Sequence, residues 1–257
     1  MQNSVARSEI AALRAKLEQV QGRRLDAPVL PTHPVLAPLL PGGGLRPGAA
    51  YSVAPSMSLL LALMSRPSQD GTWCGVIGMP ELGAEAAERL GMALDRLVLV
   101  PEPGARVLGV AATLAEVLPV VAIRPTARAM GAEVTRLAAR LRDRGAVLLV
   151  QGPWPQAEAT LRVSEGEWAG VGNGVGYLAG RTVTVTVSSK RWPVPRASRI
   201  MLPAPDGGIA AVHEGEAARA VPGSIGVVSP IGVQPGGRPH RGDAEPRRVR
   251  AARRWRS

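Results

Sequence analysis

Phenylalanine is missing altogether, and tyrosine and tryptophan together bring the aromatic content to only 3% of 257 residues. With 46% of the chain hydrophobic, any core must be filled by Val, Leu, Ile and Ala. The chain is long enough to form a sizeable one, as one large domain or two small ones. Cysteine is represented by Cys74 alone, which excludes a disulfide framework and a thiolate metal site. Mid-strand, a lone cysteine reads as a small buried apolar residue. The three histidines, His33, His213 and His240, share no ligand-like spacing, so a histidine-based metal site or triad has no basis. No G-x-S-x-G elbow occurs. No apolar run approaches the roughly 20 residues of a membrane span, and the first residues show no apolar signal core. The expectation is a soluble, cytoplasmic protein without a membrane partner, its charge compatible with the nucleoid.

Lysine is nearly absent too. Lys16 and Lys190 are the only two, and every other basic residue is arginine. Abundant Arg, Ala, Gly, Pro and Val is what a GC-rich genome produces, so part of the +11 net charge reflects codon usage rather than a nucleic-acid footprint. The placement of the charge is more informative. The stretch "GGRPHRGDAEPRRVRAARRWRS" holds eight arginines against Asp243 and Glu245, more than half of the excess.

Residues 4–22 read as an amphipathic helix with Ile10, Leu13, Leu17 and Val20 on one face. Such a helix either lies on its own domain or offers a short seam to another chain. We assign residues 1–24 to this helix and residues 25–45, "APVLPTHPVLAPLLPGGG" within them, to a Pro/Gly-rich connector. From about residue 46 short apolar runs alternate with helical patterns: "AAYSV" before a helix from Ser56, "WCGVIG" before "ELGAEAAERLGM", "RLVLV" before "ARVLGVAATLAEV", and "LPVVAIR" before a helix over 126–144. That last helix carries Met130, Val134, Leu137 and Leu141 on one face and ends at Gly145. "AVLLVQ" closes the series. The alternation predicts parallel strands with crossover helices. "ATLRVSEGEWAGVG" then reads as two strands joined by a tight turn at Glu165-Gly166, Asn173-Gly174 reads as a second turn, and "RTVTVTVSS" as a half-buried edge strand. This makes a mixed α/β domain over 46–192, and a mostly disordered Pro/Gly/Arg-rich tail over 193–257.

The run "LLPGGGLRPGAAYSV … GTWCGVIG … ERLGMALDRLVLVPEPG … VLPVVAIR … AVLLVQ … ATLRV … RTVTVTVSSK" resembles a RecA-type recombinase core over residues 36–190. It is most similar to the RecA-like ImuA proteins, the actinobacterial ImuA-prime type in particular. The resemblance implies a mostly parallel sheet flanked by helices, with antiparallel strands after it. It also places a phosphate loop at "APSMS", residues 54–58. That loop needs glycines, a lysine and a hydroxyl, as in G-x-x-x-x-G-K-[ST]. Neither lysine follows a glycine, so the motif exists nowhere in the chain. Where the resemblance implies a metal-side Asp after "VVAI" stands Arg124; near the position of the water-activating acid stands Glu81; Gln151 matches a phosphate-sensing Gln. Ser56, Ser58, Glu81, Arg124 and Gln151 are thus the remains of a nucleotide pocket, with no catalytic residue, cofactor or metal expected and no ATP hydrolysis.

The loop after Gln151, "GPWPQAE", is short, carries two prolines and no positive charge. Trp154 there either stacks on a base or packs on its own surface. Lys190 and Arg191 sit at the end of the last strand as ordinary edge charges. The remaining candidates are Arg247, Arg248, Arg250, Arg253, Arg254, Trp255 and Arg256, a cluster that suits DNA or a partner surface, or simply keeps the chain soluble. The resemblance implies a non-catalytic adapter in DNA-damage-induced mutagenesis. Its partners would be an ImuB-type Y-family polymerase homologue, RecA, and through the complex an error-prone C-family polymerase. A SulA-like division inhibitor, binding the tubulin-like division protein, is the alternative.

Overall fold

The computed structural model describes residues 28–126, 131–164, 166–172 and 175–212. Within them the apolar runs become strands β3 (Ala50–Val53), β4 (Cys74–Ile77), β5 (Leu97–Val100), β6 (Val120–Ile123), β7 (Val147–Gln151) and β8 (Ala159–Val163). All six are parallel, in the order β8-β3-β7-β6-β4-β5. Helices α1 (Met57–Gln69), α2 (Ala84–Arg89), α3 (Val107–Leu114) and α4 (Gly131–Arg144) fill the crossovers. Alternate residues of each strand feed two cores. Tyr51, Val53, Cys74, Val76, Val147 and Leu149 meet Leu59 to Met64 of α1 and Ala87 of α2 on one face. Ile77, Val121, Ile123, Leu148 and Val150 meet Val107 and Ala111 of α3 and Val134, Leu137 and Leu141 of α4 on the other. Strands covered on both faces explain the unbroken apolar runs of the sequence. Helix α4 ends as its pattern requires: Gly145 takes φ +69° and Ala146 N–H returns to the Leu141 carbonyl. Met130 lies outside the described residues.

Four expectations need correction. The segment before residue 46 is no simple connector. Leu36 (0% exposed), Leu40 and Leu45 are buried in the first core. Short 3-10 turns at Ala37–Leu39 and Pro41–Gly43 lie between β1 (Leu30–Pro31) and β2 (Gly44–Leu45). The prolines cap those turns, and the leucines between them cover α1.

The Glu165-Gly166 stretch makes no hairpin turn. Strands β8 and β9 (Glu167–Gly172) pair not with each other but successively with one long partner, β10 (Val175–Ser189). Val163 faces Val185 and Glu167 faces Thr182, so three residues of one strand oppose two of the other. That is a β-bulge. Gly166 is demanded there by close approach, because a Cβ would stand 2.6 Å from the Thr182 carbonyl oxygen. Gly172 and Val175 face each other; Asn173-Gly174, read as a turn, lies outside the described residues.

Nor is the Thr/Val strand an edge. β10 is flanked by β8 and β9 on one side and by β11 (Arg196–Met201) on the other, and β12 (Ala210–Ala211) follows β11. Val183, Val185 and Val187 are buried in the first core, while the intervening threonines occupy a face that no helix of the second core covers. Among the described residues half-burial therefore reflects unequal cover of the strand's two faces, not an unpaired edge. The ordered domain consequently runs past residue 192: Ile200 and Leu202 belong to the core. The N-terminal helix and the residues from 213 onward lie outside the described residues.

Candidate functional site

In an open α/β sheet, ligand crevices form beyond the carboxyl ends of strands whose following helices diverge to opposite faces. Here β4 leads to α2 on one face and β6 leads to α4 on the other. Three residues meet at that divergence. Arg124 directly follows β6, Gln151 ends β7 and Glu81 lies in the turn after β4. The Arg124 backbone N–H is tied to the Ile77 carbonyl at 3.1 Å, which fixes where its side chain starts. Its Nε then donates to Gln151 Oε1 at 2.5 Å, and its Nη2 forms an ion pair with Glu81 Oε1. Gln151 is 6% exposed, so this hydrogen bond satisfies an otherwise buried acceptor. The Arg124 hydrogen bond first, and then a backbone hydrogen bond of its own residue, hold the Glu81 carboxyl below its ordinary value, with the Arg124 charge contributing least. A carboxylate so clasped is a weak proton acceptor. Chemically the arrangement is a neutralised lock across three strand ends.

The structure therefore brings together Glu81, Arg124 and Gln151, and leaves Ser56 and Ser58 in a different role. The turn after β3 is closed on protein partners. Ala54 N–H donates to the Leu161 carbonyl of β8 at 2.8 Å, and the Ser56 hydroxyl caps α1 by accepting from Leu59 N–H at 3.3 Å. Ser58 stands in the first turn of α1. Neighbouring backbone is stitched in the same way: Ser52 Oγ donates to the Gly152 carbonyl, and Gly152 N–H to the Val53 carbonyl.

Trp154 is 8% exposed and packs into the second core, so of its two readings the structure shows packing. Arg191 is paired with Glu158, whose carbonyl also accepts from Ser189 Oγ. Cys74 is buried, and burial pushes its thiol up to about 12. Val35 N–H donates to His33 Nδ1, and burial holds the His33 pKa below its usual value. Among the described residues no group of His, Cys, Asp and Glu is arranged to hold a metal ion, and no helix is long and apolar enough to cross a membrane. The arginine cluster Arg247 to Arg256 with Trp255, and the helix face Ile10, Leu13, Leu17 and Val20, lie outside the described residues. A groove of about 840 Å³ lies elsewhere, between α3 and α4, bordered by Glu116, Glu133, Arg136 and Arg140.

The three strand-end positions are legible in the sequence; the side-chain bonds that join them are not. By position Arg124 replaces an expected aspartate, and in the structure it is the hub. Nor does the sequence show three surface Trp–Arg pairs, with Arg96 over Trp73 at 5.7 Å, Arg181 over Trp168 at 5.7 Å and Arg196 over Trp192 at 3.9 Å. Trp168 and Arg181 face each other across the β9–β10 ladder, and strand register of this kind carries no local sequence signal.

The family described as the MT3502 N-terminal domain matches residues 38–156. That segment holds the whole Glu81–Arg124–Gln151 lock and stops before β8. The chain is also similar to the uncharacterized protein Rv3395c of Mycobacterium tuberculosis. The two are 28% identical over 197 residues, which is 76% of this chain and 84% of that protein.

Proposed function

We propose that the chain is a non-catalytic adapter built on a RecA-like domain of the ImuA type, acting in DNA-damage-induced mutagenesis. What supports the RecA-like reading is the architecture the resemblance implied, a parallel sheet with helices on both faces and antiparallel strands after it. The observation that carries the non-catalytic reading is Arg124. A guanidinium bonded to Glu81 and Gln151 stands, its charge already paired, where nucleotide chemistry needs an acid free to hold a metal ion. The turn after β3 adds to this, since its Ala54 N–H and the Ser56 hydroxyl are bound to protein partners.

The adapter docks on an ImuB-type Y-family homologue, on RecA, or on both, and reaches an error-prone C-family polymerase through that complex. Its folded face or its arginine cluster supplies the contact, with the other left for DNA. The test is co-purification of the full chain and of a form ending at residue 212 with the ImuB-type protein and with RecA, in the presence of nuclease. Residue 212 is the appropriate end because β11 and β12 complete the sheet. Binding lost only on truncation assigns the contact to the arginine cluster; binding retained assigns it to the sheet domain. Failure of both forms to bind, with normal damage-induced mutation in a deletion strain, refutes the adapter reading. Division arrest on overexpression would then favour the SulA-like alternative.

A further inference from the structure

The ten-stranded sheet ends on one side at β5, and nothing pairs with its outer edge among the described residues. Proteins usually blunt such an edge with charge, proline, a bulge or a covering loop. The four residues of β5 are Leu-Val-Leu-Val, with neither charge nor proline among them. Exposed apolar side chains gather beside it: Leu99 is 42% exposed, Trp73 at the start of the neighbouring strand 43%, and Leu94 39%. The backbone orientation is also fixed. Gly78 N–H donates to the Val100 carbonyl, so Val98 and Val100 turn their polar groups inward to β4. Leu97 and Leu99, alternating with them, point theirs outward.

We propose that β5 is the edge at which a second copy of this chain adds, antiparallel, across a two-fold axis at Leu99. Charge pattern selects this occupant. A two-fold pairing is necessarily isologous, so the strand must complement itself. The stretch Arg96-Leu-Val-Leu99-Val-Pro-Glu102 does so about its centre. Placing Leu99 opposite Leu99 makes it a hydrogen-bonded pair whose outward N–H and C=O groups meet. The same register sets Val98 opposite Val100, and just beyond the strand ends it brings Arg96, the last residue of the 3-10 turn Leu94–Arg96, towards Glu102, twice by symmetry. Leu97 N–H then reaches the Pro101 carbonyl, while the Leu97 carbonyl, facing a proline without an N–H, is left to solvent at the end of the ladder. Arg96 lies over Trp73, donates to the Gly71 carbonyl and leans on Asp95 at 3.5 Å, which holds it at this end of the edge. The proposal does not rest on the adapter reading.

Sedimentation velocity of the full chain over a range of concentrations tests it, with thermal melts to show that each variant is folded. Wild type should dimerise reversibly. Leu99→Lys, which sets two ammonium groups against each other on the axis, should remain monomeric with an unchanged melt, since Leu99 is half exposed. Glu102→Arg and Arg96→Glu should each weaken the dimer about tenfold, exposed charge pairs being individually weak, and the double reversal should restore it. A wild type that stays monomeric at every concentration overturns the proposal. So does a dimer insensitive to Leu99→Lys, which would move the contact elsewhere, for instance to the Ile10–Leu13–Leu17–Val20 face.

Discussion

Replacing Arg124 with methionine keeps most of the stem and removes the guanidinium. Gln151 Oε1 then loses its partner while the residue stays 6% exposed. An orphaned buried acceptor costs about 1–3 kcal/mol. For a folded unit of 150–250 residues each kcal/mol lowers Tm by roughly 2–4 °C, so the variant should melt measurably lower by calorimetry. The Glu81 ion pair adds little, because both side chains reach solvent. Adding Gln151→Leu removes the orphan, and the double variant should recover most of the loss. Carboxyl NMR reads the same network independently. In the native protein Glu81 should titrate below its ordinary value of 4.5, and in Arg124→Met it should return towards it. A depressed carboxylate pKa contributes stability that is present above the ordinary value and is lost as pH falls through the native one. The gap between native protein and Arg124→Met should accordingly narrow in acid. An Arg124→Met protein as stable as the native one, or a double variant no better than the single, would refute the lock.

Further outcomes follow from the packing. Gly166→Ala must move its Cβ away from the Thr182 oxygen and Val183 side chain, each 2.6 Å off, and should cost about 1–3 kcal/mol by chemical denaturation. Trp154→Ala, which empties a place between sheet and α4, should cost about 3–5 kcal/mol, while ribbon-end Trp168→Ala should leave Tm nearly unchanged because Trp168 is 51% exposed. Cys74, with its thiol pushed up to about 12, should react with a disulfide reagent only at the rate of unfolding; prompt modification of native protein would contradict its burial.

What the sequence disclosed follows from what each signal depends on. The α4 face Val134, Leu137 and Leu141, its end at Gly145, and the runs that became β4, β6 and β7 depend on local periodicity, and all appear where expected. The Ser-Glu-Gly-Glu stretch depends on pairing. A hairpin turn and a bulge use the same residues, and only the β10 register separates them. The leucines at 36, 40 and 45 looked like linker because prolines surround them, yet proline ends regular structure without preventing burial. β11, "RASRIM", has no apolar alternation of its own and becomes a strand through β10. At the site, Glu81, Arg124 and Gln151 could be placed at strand ends, but residue positions say nothing of a side chain long enough to bridge both neighbours.

Arg124 also has a consequence in time. A bound metal or nucleotide arrives and leaves, so a crevice that uses one has at least two states and can be read as a clock or a gauge of supply. A guanidinium is anchored to its strand by covalent bonds and carries its charge at every physiological pH. The rim it neutralises is set once, at folding, and keeps that setting for the life of the molecule. Under the adapter function proposed above, a signal acting through this rim changes how many copies exist, or what meets them, rather than the shape of the copies themselves.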